Sequence, residues 1–400
     1  MHPVESESGV RPLEGIVVVD LTQVLAGPFA TQVLGDLGAD VVKIEAVGRG
    51  DRSRSVSPIP EYFDTVNRNK RSVALDLKTE EGQAIAHRLL ADADVFIEST
   101  KPGRTEAYDL AYETVREYNP DVIYCSISGF GHNSPYEDLP AWDMLIQAMS
   151  GVMSMTGEPD RPPVWSGLPS GDLAAAMYAT QSVLGALYAR ERGLIDGEWI
   201  EVPMFDAALS WLSIRAGHSF GFDEPFPRDG HHHPSIAPFG TFECADGHLV
   251  VAAGTDSLWQ SFCTAIDRPE LADDERFVTL SDRVSHLDML LDELQSVLLE
   301  CTEAEWLERL HAHDVPAGPI NDTLSVWDDE HVRRRQLHRR MERDGRDDAD
   351  VIDHPVHFAN LATRLDIPPQ ELGESTDHVL EELGYTESEI SLLRERGVVE

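Results

Sequence analysis

One short segment, Trp165–Tyr178, combines a glycine-bearing loop with a carboxylate at the predicted start of a long helix. Asp172 directly follows Gly171, and an apolar pattern of helical period continues from it to Arg192. Glycine lets a ligand approach the backbone closely, and the positive end of a helix dipole keeps a carboxylate ionised at neutral pH. An ionised Asp172 could act as a nucleophile, with free backbone N–H groups nearby to hold a developing oxyanion. The alternative is that Asp172 only caps the helix, as an aspartate beside a helix start usually does.

The remaining motifs indicate neither a phosphate-binding loop nor a metal centre. No Walker A sequence occurs, and Gly129–Gly131 lacks the third glycine of a dinucleotide fingerprint. His231–His233 are adjacent on a loop and point in different directions, without a carboxylate or cysteine at a ligand spacing, so no metal is expected. The cysteines, which have no CxxC spacing and are predicted to be reduced and buried, are Cys125, Cys244, Cys263 and Cys301.

The chain on both sides of this segment alternates between strand and helix patterns. Apolar runs that suit buried strands are Gly15–Asp20, Asp40–Glu45, Ser72–Leu77, Asp94–Glu98, Asp121–Ile127 and Trp199–Val202. Helical patterns are Pro28–Leu37, Thr79–Ala91, Tyr108–Tyr118 and Asp172–Arg192. This alternation predicts an α/β domain built on a parallel sheet.

A segment rich in Pro, Gly, His and Asp, from about Gly221 to Pro238, marks a domain boundary. The elements predicted beyond it are strands at Gly240–Cys244 and His248–Ala253, joined by an Asp-Gly turn, and helices from Ser257, Asp282 and Glu303. This part of the chain therefore predicts a smaller α+β domain.

Acidic residues are in large excess along the whole chain. There are 72 acidic against 32 basic residues, a formal net charge of -40. Such a field repels nucleic acid. It is typical of proteins from concentrated salt, where screening removes the self-repulsion that would destabilise the fold in dilute buffer. We therefore predict a halophilic protein that does not bind nucleic acid.

The hydropathy pattern gives no sign of a membrane or of export. No apolar run approaches the about 20 residues that a membrane-spanning helix needs. The first residues, Met1–Arg11, are polar and acidic and lack the apolar core of a signal peptide. The expected location is cytoplasmic, with no membrane partner.

Sequence blocks spread over almost the whole chain carry a family resemblance. The blocks are Pro12–Thr22, Ala26–Pro28, Leu37–Glu45, Asn69–Ser72, Leu75–Lys78, Ser128–Gly131, Gln147–Gly151, Val315–Pro319 and Leu372–Thr376. In this order they resemble the class III CoA-transferase family of CaiB/BaiF type, which includes formyl-CoA transferase. Together with the charge, the resemblance indicates a halophilic member of that family.

The resemblance implies an α/β fold with a Rossmann-like large domain, a smaller α+β domain and a homodimer of interlocked rings. Applied to this sequence, residues 1–220 form the N-terminal part of the large domain and residues 221–325 form the small domain. Residues 326–400 return to the large domain, and their last stretch, Ser375–Glu400, contains two short amphipathic helix patterns.

The same resemblance implies that Asp172 is the catalytic nucleophile. Its carboxylate attacks the acyl-CoA donor to give an acyl-aspartyl anhydride, and the released CoA thiolate returns to form an aspartyl-CoA thioester. The acceptor carboxylate then opens this thioester, so that one hard exchange becomes several easier steps. Coenzyme A enters as a thioester substrate, and no cofactor is implied.

Contacts with coenzyme A in similar enzymes fall on positions that can be matched here. The matched residues are Val24, Ala26, Leu75, Lys78, Ser99, Thr100, Lys101, Trp142 and Asp143. The alternative for Val24, Leu75 and Trp142 is ordinary core packing. Lys78 could instead be a solvated cation at a helix start.

Two departures from the family pattern concern the phosphates of coenzyme A. Arginines that are usual in the family are replaced by Ala46 and Ala107. Arg49 or Arg104 is therefore expected to bind the phosphates instead.

The substrates are predicted by analogy with relatives that exchange CoA between dicarboxylates. We expect succinyl-CoA as donor and a C5 dicarboxylate, such as mesaconate or citramalate, as acceptor. A second substrate carboxylate needs a cation, for which Arg215 or Arg228 is the candidate, with His231–His233 as weaker ones. The alternative is that both arginines only offset surface acids.

Two other reactions use the same fold. An α-methylacyl-CoA racemase needs two bases, and in such relatives a histidine stands where this chain has Trp142, directly before Asp143. The tryptophan therefore disfavours the racemase. An intramolecular CoA shift, such as a C1–C4 transfer within mesaconyl-CoA, uses the transferase chemistry and stays open.

Overall fold

The computed structural model of the protein describes residues 9–56 and 61–400. The chain forms two compact units. The first comprises the chain up to Val152, Ser166–Ser213 and His331–Glu400, and the second comprises Met153–Trp165 and Ile214–Glu330. The predicted small domain, residues 221–325, lacks the short excursion Met153–Trp165, which no compositional signal marks in the sequence.

The secondary structure follows the predicted alternation closely. The strands are β1 (Val17–Leu21), β2 (Asp40–Glu45), β3 (Lys70–Ala74), β4 (Val95–Glu98), β5 (Ile123–Ser128), β6 (Glu198–Pro203), β7 (Phe239–Cys244), β8 (Gly247–Ala252), β9 (Ala317–Pro319), β10 (His338–Met341) and β11 (Ala349–Ile352). The helices are α1 (Ala26–Asp36), α2 (Glu80–Ala91), α3 (Arg104–Ala107), α4 (Tyr112–Tyr118), α5 (Asp143–Met149), α6 (Ser170–Glu191), α7 (Met204–Ser210), α8 (Ile214–Phe222), α9 (Asp256–Ala265), α10 (Leu280–Ser285), α11 (Leu287–Leu298), α12 (Glu303–Ala312), α13 (Glu330–Arg335), α14 (Thr376–Glu382) and α15 (Glu387–Glu395). Single turns of 3-10 helix occur at Arg52–Ser55, Asp64–Val66, Met153–Met155, Pro269–Ala272 and Ser325–Asp328.

The first unit is built on a six-stranded parallel sheet with the order β3-β2-β1-β4-β5-β6. Successive side chains of a strand point to opposite faces, and both faces of this sheet are covered. Val18 lies in a core shared with α1 and α6, whereas Val19 lies in a core shared with α2, α14 and α15. The apolar runs of the strands are therefore explained by burial on both sides, and the predicted parallel α/β sheet is confirmed.

Two predicted elements begin at different residues from those expected. Helix α4 starts at Tyr112 rather than Tyr108, because Asp109 adopts a left-handed φ of 58° that interrupts the helical path. Strand β3 starts at Lys70 rather than Ser72, and its end at Ala74 is earlier than the expected Leu77. Lys70 and Arg71 are charged, so a hydropathy pattern does not show the start of this strand. Both side chains form ion pairs, which makes their charges acceptable at these positions.

The second unit has an antiparallel sheet with the order β7-β8-β9 and an aromatic core. Trp259, Phe262 and Trp306 are fully buried in it. Arg283 is the one buried charged side chain in the described part of this unit, and it donates to the Ala237 carbonyl at 2.7 Å. Across the described residues of both units, no helix is both long and apolar enough to cross a membrane.

Candidate active site

The loops at the carboxyl ends of β1 and β4 meet where the strand order of the sheet reverses. Strand β1 has β2 on one side and β4 on the other, with all three strands parallel. Open parallel sheets bind ligands in the crevice at this position. The predicted coenzyme A contacts Val24 and Ala26 follow β1, and Ser99, Thr100 and Lys101 follow β4. The structure therefore brings these five residues to one edge of the sheet.

Exposed cations gather at the same edge of the sheet. Arg49 and Arg52 follow β2, Lys78 follows β3, and Lys101 and Arg104 follow β4. Their side chains are exposed and have no hydrogen bond or ion pair with any described residue. The carboxyl ends of parallel strands lie at one edge, so these charges are available together to a polyanion such as the phosphates of a nucleotide. Arg52 is a member of this group that the sequence did not single out.

Two predicted contacts have side chains in very different surroundings. Leu75 is 1% exposed, lies in the core beneath the sheet and forms an isolated bridge with Val399. Its side chain supports the core-packing interpretation, and its backbone N–H donates to the Glu45 carbonyl at 2.8 Å. Trp142, in contrast, is 60% exposed at the start of α5, so core packing does not explain it.

Asp172 lies in the first turn of α6, as the sequence predicts, but it does not cap that helix. The residue at the N-cap position is Pro169, which makes no capping bond. The cap comes from α5, where Asp143 Oδ1 accepts a hydrogen bond from the backbone N–H of Gly171 at 2.7 Å and a longer one from that of Asp172 at 3.4 Å. The capping interpretation of Asp172 is therefore wrong, and the Asp172 carboxylate is not used to satisfy its own helix.

Helix α5 also holds the loop that leads to Asp172. Gln147 donates to Asp143 Oδ2 at 2.6 Å and to the Leu168 carbonyl at 3.1 Å, and it accepts from the Ser166 N–H at 2.9 Å. A Cβ on Gly171 would lie 3.1 Å from Asp143 Oδ1, so this position has little room for a side chain. Gln147 was visible in the sequence only as part of a family block without a role.

The ionisation of Asp172 differs from the expectation. Burial and the negative charge of Asp143 raise the pKa of Asp172 to about 7, and hydrogen bonding from the backbone of Ala26 opposes this rise. The prediction that the helix terminus keeps Asp172 fully ionised at neutral pH is wrong, because Asp143 occupies the first amides of α6. The N-terminus of α1 has no side-chain cap, and it is this helix whose first amide faces Asp172.

A raised pKa suits a carboxylate nucleophile that works near neutral pH. Once ionised, a more basic carboxylate is the stronger nucleophile. Acylation of Asp172 would also remove its charge and with it the repulsion from Asp143. The surroundings of Asp172 are therefore compatible with the nucleophilic role that the sequence predicts, which stays a prediction.

Tyr62 is a neighbour of this carboxylate pair, and no sequence motif indicated a role for it. Its side chain is half-buried. Burial and the charges of Asp172, Asp51 and Asp143 raise its pKa, so the phenol stays protonated and keeps an O–H group to donate.

Beneath the loop that follows β1 lies a buried charge cluster formed by Asp20, Lys43, Asp51 and Lys70. The Lys43 ammonium is 3.0 Å from Asp51 Oδ2, and the Lys70 ammonium is 3.2 Å from Asp20 Oδ2. Burial opposes ionisation throughout, yet the attraction of both lysines holds the pKa of Asp20 well below its usual range. Burial, together with the neighbouring Lys43 ammonium, lowers the pKa of Lys70 to about 8 in spite of the attraction of Asp20. The pKa of Lys43 is raised, because the attraction of several carboxylates outweighs the effect of its burial.

In the second unit, the two arginines proposed for a second substrate carboxylate differ in what they bind. The Arg228 guanidinium is used by the backbone, since it donates to carbonyls of four residues, Ser154, Glu158, Pro159 and Arg161. Arg215 stacks on the Phe226 ring with 4.2 Å to its centroid, and it has no hydrogen bond or ion pair within the described residues. Arg228 is thus a structural residue, and the role of Arg215 stays a prediction.

The three adjacent histidines contact different groups. His231 is 3.2 Å from a Glu158 carboxylate oxygen, His232 packs on Phe242, and His233 packs on Phe239. No group of three or more potential metal ligands occurs among the residues that the structure describes.

The fold is a parallel α/β sheet, and a half-buried carboxylate and a group of exposed cations lie among the segments that its first unit contributes. The sequence pattern of the family described as CoA-transferase family III matches residues 13–376. The chain is 35% identical to a succinate–glutarate CoA-transferase of Agrobacterium fabrum, over 93% of this chain and 96% of that protein. It is 38% identical to a succinyl-CoA:mesaconate CoA-transferase of Haloarcula hispanica, over 85% of this chain and 88% of that protein.

A solved structure gives the same result for the fold. The crystal structure of a CaiB/BaiF family protein from Brucella suis has a TM-score of 0.86 and 36% sequence identity, and the match covers 94% of this chain and 100% of that one. The chain belongs to CoA-transferase family III, and it is a CoA-transferase.

Proposed function

We propose that the protein transfers coenzyme A from succinyl-CoA to a C5 dicarboxylate, with Asp172 as the covalent nucleophile. The observation that carries the proposal is the half-buried Asp172 carboxylate, which lies beside Asp143. Burial and the charge of Asp143 raise the pKa of Asp172 to about 7. The proteins from Agrobacterium fabrum and Haloarcula hispanica, whose names specify succinate with glutarate and succinyl-CoA with mesaconate, support a dicarboxylate pair.

The exchange begins at the thioester carbonyl of the donor. An Asp172 oxygen attacks this carbon, and the C–S bond breaks. CoA departs as a thiolate, and an acyl-aspartyl anhydride remains on the enzyme. The thiolate then attacks the aspartyl carbonyl, so that the donor acid departs as a carboxylate and an aspartyl-CoA thioester remains.

The second half repeats these steps in the opposite direction. The acceptor carboxylate attacks the aspartyl-CoA carbonyl, which expels the thiolate and forms a second anhydride. The thiolate attacks the acceptor acyl carbon, and Asp172 is regenerated as a carboxylate. No net proton or electron is consumed, so the cycle needs no cofactor.

Coenzyme A would lie along the carboxyl edge of the sheet. The loops after β1 and β4 would contact the pantetheine and nucleotide, and the exposed cations Arg49, Lys78, Lys101 and Arg104 would pair with the phosphates. Arg52 joins this set on the basis of its position and its lack of a partner among the described residues.

A homodimer is also part of the proposal. Large apolar side chains of the first unit are exposed on and after α6, among them Tyr188 at 62% and Leu194 at 72%. Exposed apolar patches of this kind mark interfaces. Light scattering of the purified protein in molar KCl should give twice the chain mass.

The decisive experiment combines trapping with substrate comparison. Hydroxylamine added with succinyl-CoA should convert Asp172 to a hydroxamate that peptide mass spectrometry detects, and Asp172→Asn should give no adduct. Mesaconate and citramalate should exceed a monocarboxylate of equal length in kcat/KM. Equal or better values with monocarboxylates would remove the dicarboxylate assignment, and an adduct on another residue would remove the nucleophile.

A further inference from the structure

The loop between β1 and α1 contains a strained residue. Val24 has a φ of 70°, in the left-handed region that β-branched residues very rarely adopt. Such strain persists only where surrounding interactions enforce it. The enforcing group is Asp51, whose Oδ1 accepts a hydrogen bond from the Val24 N–H at 3.0 Å.

The neighbouring peptides of this loop are held from different strands. The Thr22 carbonyl accepts from the Lys43 ammonium of β2 at 2.8 Å, and the Gln23 N–H donates at 3.1 Å to the hydroxyl of Ser99, which follows β4. Asp51 is fixed in turn, because Lys43 is 3.0 Å from its second oxygen. The loop that follows β1 is thus tied to β2 and β4 by buried or half-buried side chains.

The loop ends at the first amide of α1, which faces Asp172. The start of α1 lies against the loop so closely that a Cβ on Gly27 would overlap the Thr22 side chain. Helices α1 and α6 share one apolar core, which includes Ala26 and Ala175. The direction of the Ala26 N–H toward Asp172 therefore depends on the path of the chain through Val24.

We propose that Asp51 is a positioning residue for the transfer reaction. By holding Val24 in its left-handed conformation, Asp51 aims the Ala26 N–H at the Asp172 carboxylate. That N–H stabilises the ionised nucleophile and the negative charge that develops when the anhydride and thioester are attacked. The inference rests on the proposed role of Asp172 and adds a residue that does not touch the substrate.

Charged and titratable groups of the described residues surround both Asp172 and Asp51. Asp172 faces Asp143 from α5 and the phenol of Tyr62. Asp51 faces Lys43 from β2, and its backbone N–H donates to Glu45 at 2.8 Å. None of these groups replaces the bond from Asp51 to Val24.

The test is the acidic limb of the pH profile of kcat/KM for succinyl-CoA in the full-length enzyme. Asp51→Asn keeps an oxygen that can accept from the Val24 N–H, but it loses the charge and the ion pair with Lys43, so it holds Val24 less firmly. The apparent pKa of this limb should therefore rise by up to about one unit and kcat should fall by up to about tenfold, the size expected when a hydrogen bond to a charged group is weakened. The KM for succinyl-CoA should change less than kcat. Val24→Gly introduced into Asp51→Asn should restore part of both values, since glycine adopts a positive φ without strain.

Asp36→Asn is the matched control. Asp36 is the last residue of α1, the helix that begins at Ala26. It is buried in an ion pair with Arg68 at 2.6 Å, so the loss of its charge tests general destabilisation. The control should lower the melting temperature without moving the acidic limb. An equal shift in the control, or an unchanged limb in folded Asp51→Asn, would overturn the proposal.

Two further measurements keep the outcome decisive. If Asp51→Asn does not fold, Ser99→Ala removes the bond to the neighbouring Gln23 peptide. Ser99 is also a predicted contact of coenzyme A, so the readout is the acidic limb and not KM, and this limb should shift in the same direction by a smaller amount. A limb that stays in place in that variant overturns the proposal. Hydroxylamine trapping in the wild type separates the two levels: without an adduct on Asp172 both proposals fail, whereas an adduct with an unchanged limb removes only the role of Asp51.

Discussion

Two groups of buried carboxylates in the same unit ionise in opposite ways. Asp20 and Asp51 lie in the buried charge cluster, where lysine ammonium groups hold their pKa values below the usual range in spite of burial. Asp172 has another carboxylate, Asp143, as its charged neighbour, and its pKa is raised to about 7. A compensated buried charge serves the structure, whereas an uncompensated one stays reactive because only protonation or acylation relieves it.

The largest effect is expected at the uncompensated carboxylate. Asp172→Asn should lower the rate of CoA exchange by roughly four orders of magnitude or more, because an amide cannot form the anhydride. Exchange should be followed by mass with labelled succinate, and circular dichroism should confirm an unchanged fold. A substantial residual rate would show that this carboxylate is not the covalent nucleophile.

The compensated carboxylate should behave in the opposite way, with a large cost in stability. Asp20→Asn leaves the buried Lys70 without its carboxylate partner and leaves the buried Lys43 with Asp51 alone. The free energy of unfolding should therefore fall by about 3–5 kcal/mol. The control is Asp366→Asn, which breaks the exposed pair with Arg11 and should cost less than about 1 kcal/mol. Urea unfolding measures both, and similar losses in the two variants would contradict the distinction.

Salt should change the stability of the protein through its exposed acidic residues, and it should have little effect on the buried charge cluster or on Asp172. With a net charge of -40, the melting temperature should rise by several degrees or more between dilute buffer and molar KCl, because counterions screen the repulsion. The acidic limb assigned to Asp172 should move little over the same range. A melting temperature that is independent of KCl would remove the halophile prediction.

Asp143 tests the repulsion directly. Asp143→Asn keeps an oxygen to accept from the Gly171 N–H but removes the charge, so the pKa of Asp172 should fall and the acidic limb of kcat/KM should move down by about one pH unit. Asp138→Asn, on the same segment and exposed, should leave the limb in place. A limb that moves upward or stays would show that Asp143 does not set the ionisation of Asp172.

The last test concerns the pH dependence of the stability of the Asp172→Asn variant. Asp172 binds its proton more tightly when folded, with a pKa of about 7 against about 4 in the unfolded chain, so the wild type loses stability as pH rises through this window. The variant lacks this loss. Its advantage in melting temperature should grow from about pH 4 to about pH 7 and then level off. An advantage that does not depend on pH would contradict the raised pKa.

The fold could be predicted well from the sequence because its strands are buried on both faces. Continuous apolar runs such as Val17–Leu21 and Asp40–Glu45 are visible without a structure. Strand β3 was predicted less accurately, since Lys70 and Arg71 are charged and only their ion pairs make burial acceptable. The excursion Met153–Trp165 into the second unit left no local signal, because unit membership depends on contacts distant in sequence.

The site was predicted in part for a similar reason. Asp172 and the loops after β1 and β4 could be found from motif and family resemblance. The partners Asp51, Tyr62 and Gln147 could not be assigned roles, because each acts through contacts with residues far away in the chain. Arg215 and Arg228 looked equivalent in the sequence, yet the backbone carbonyls around Arg228 distinguish them.

The sequence by itself determined the alternation of strands and helices, the acidic surface and the position of a carboxylate in the first turn of α6. These features depend on local composition and period, which the chain carries without tertiary contacts. Only the tertiary structure decided the ionisation of that carboxylate. Asp143 takes the amides of α6 and repels Asp172, while Ala26 at the start of α1 turns its N–H toward it. A pKa depends on burial and on charges within a few ångströms, and those distances exist only once the chain is folded.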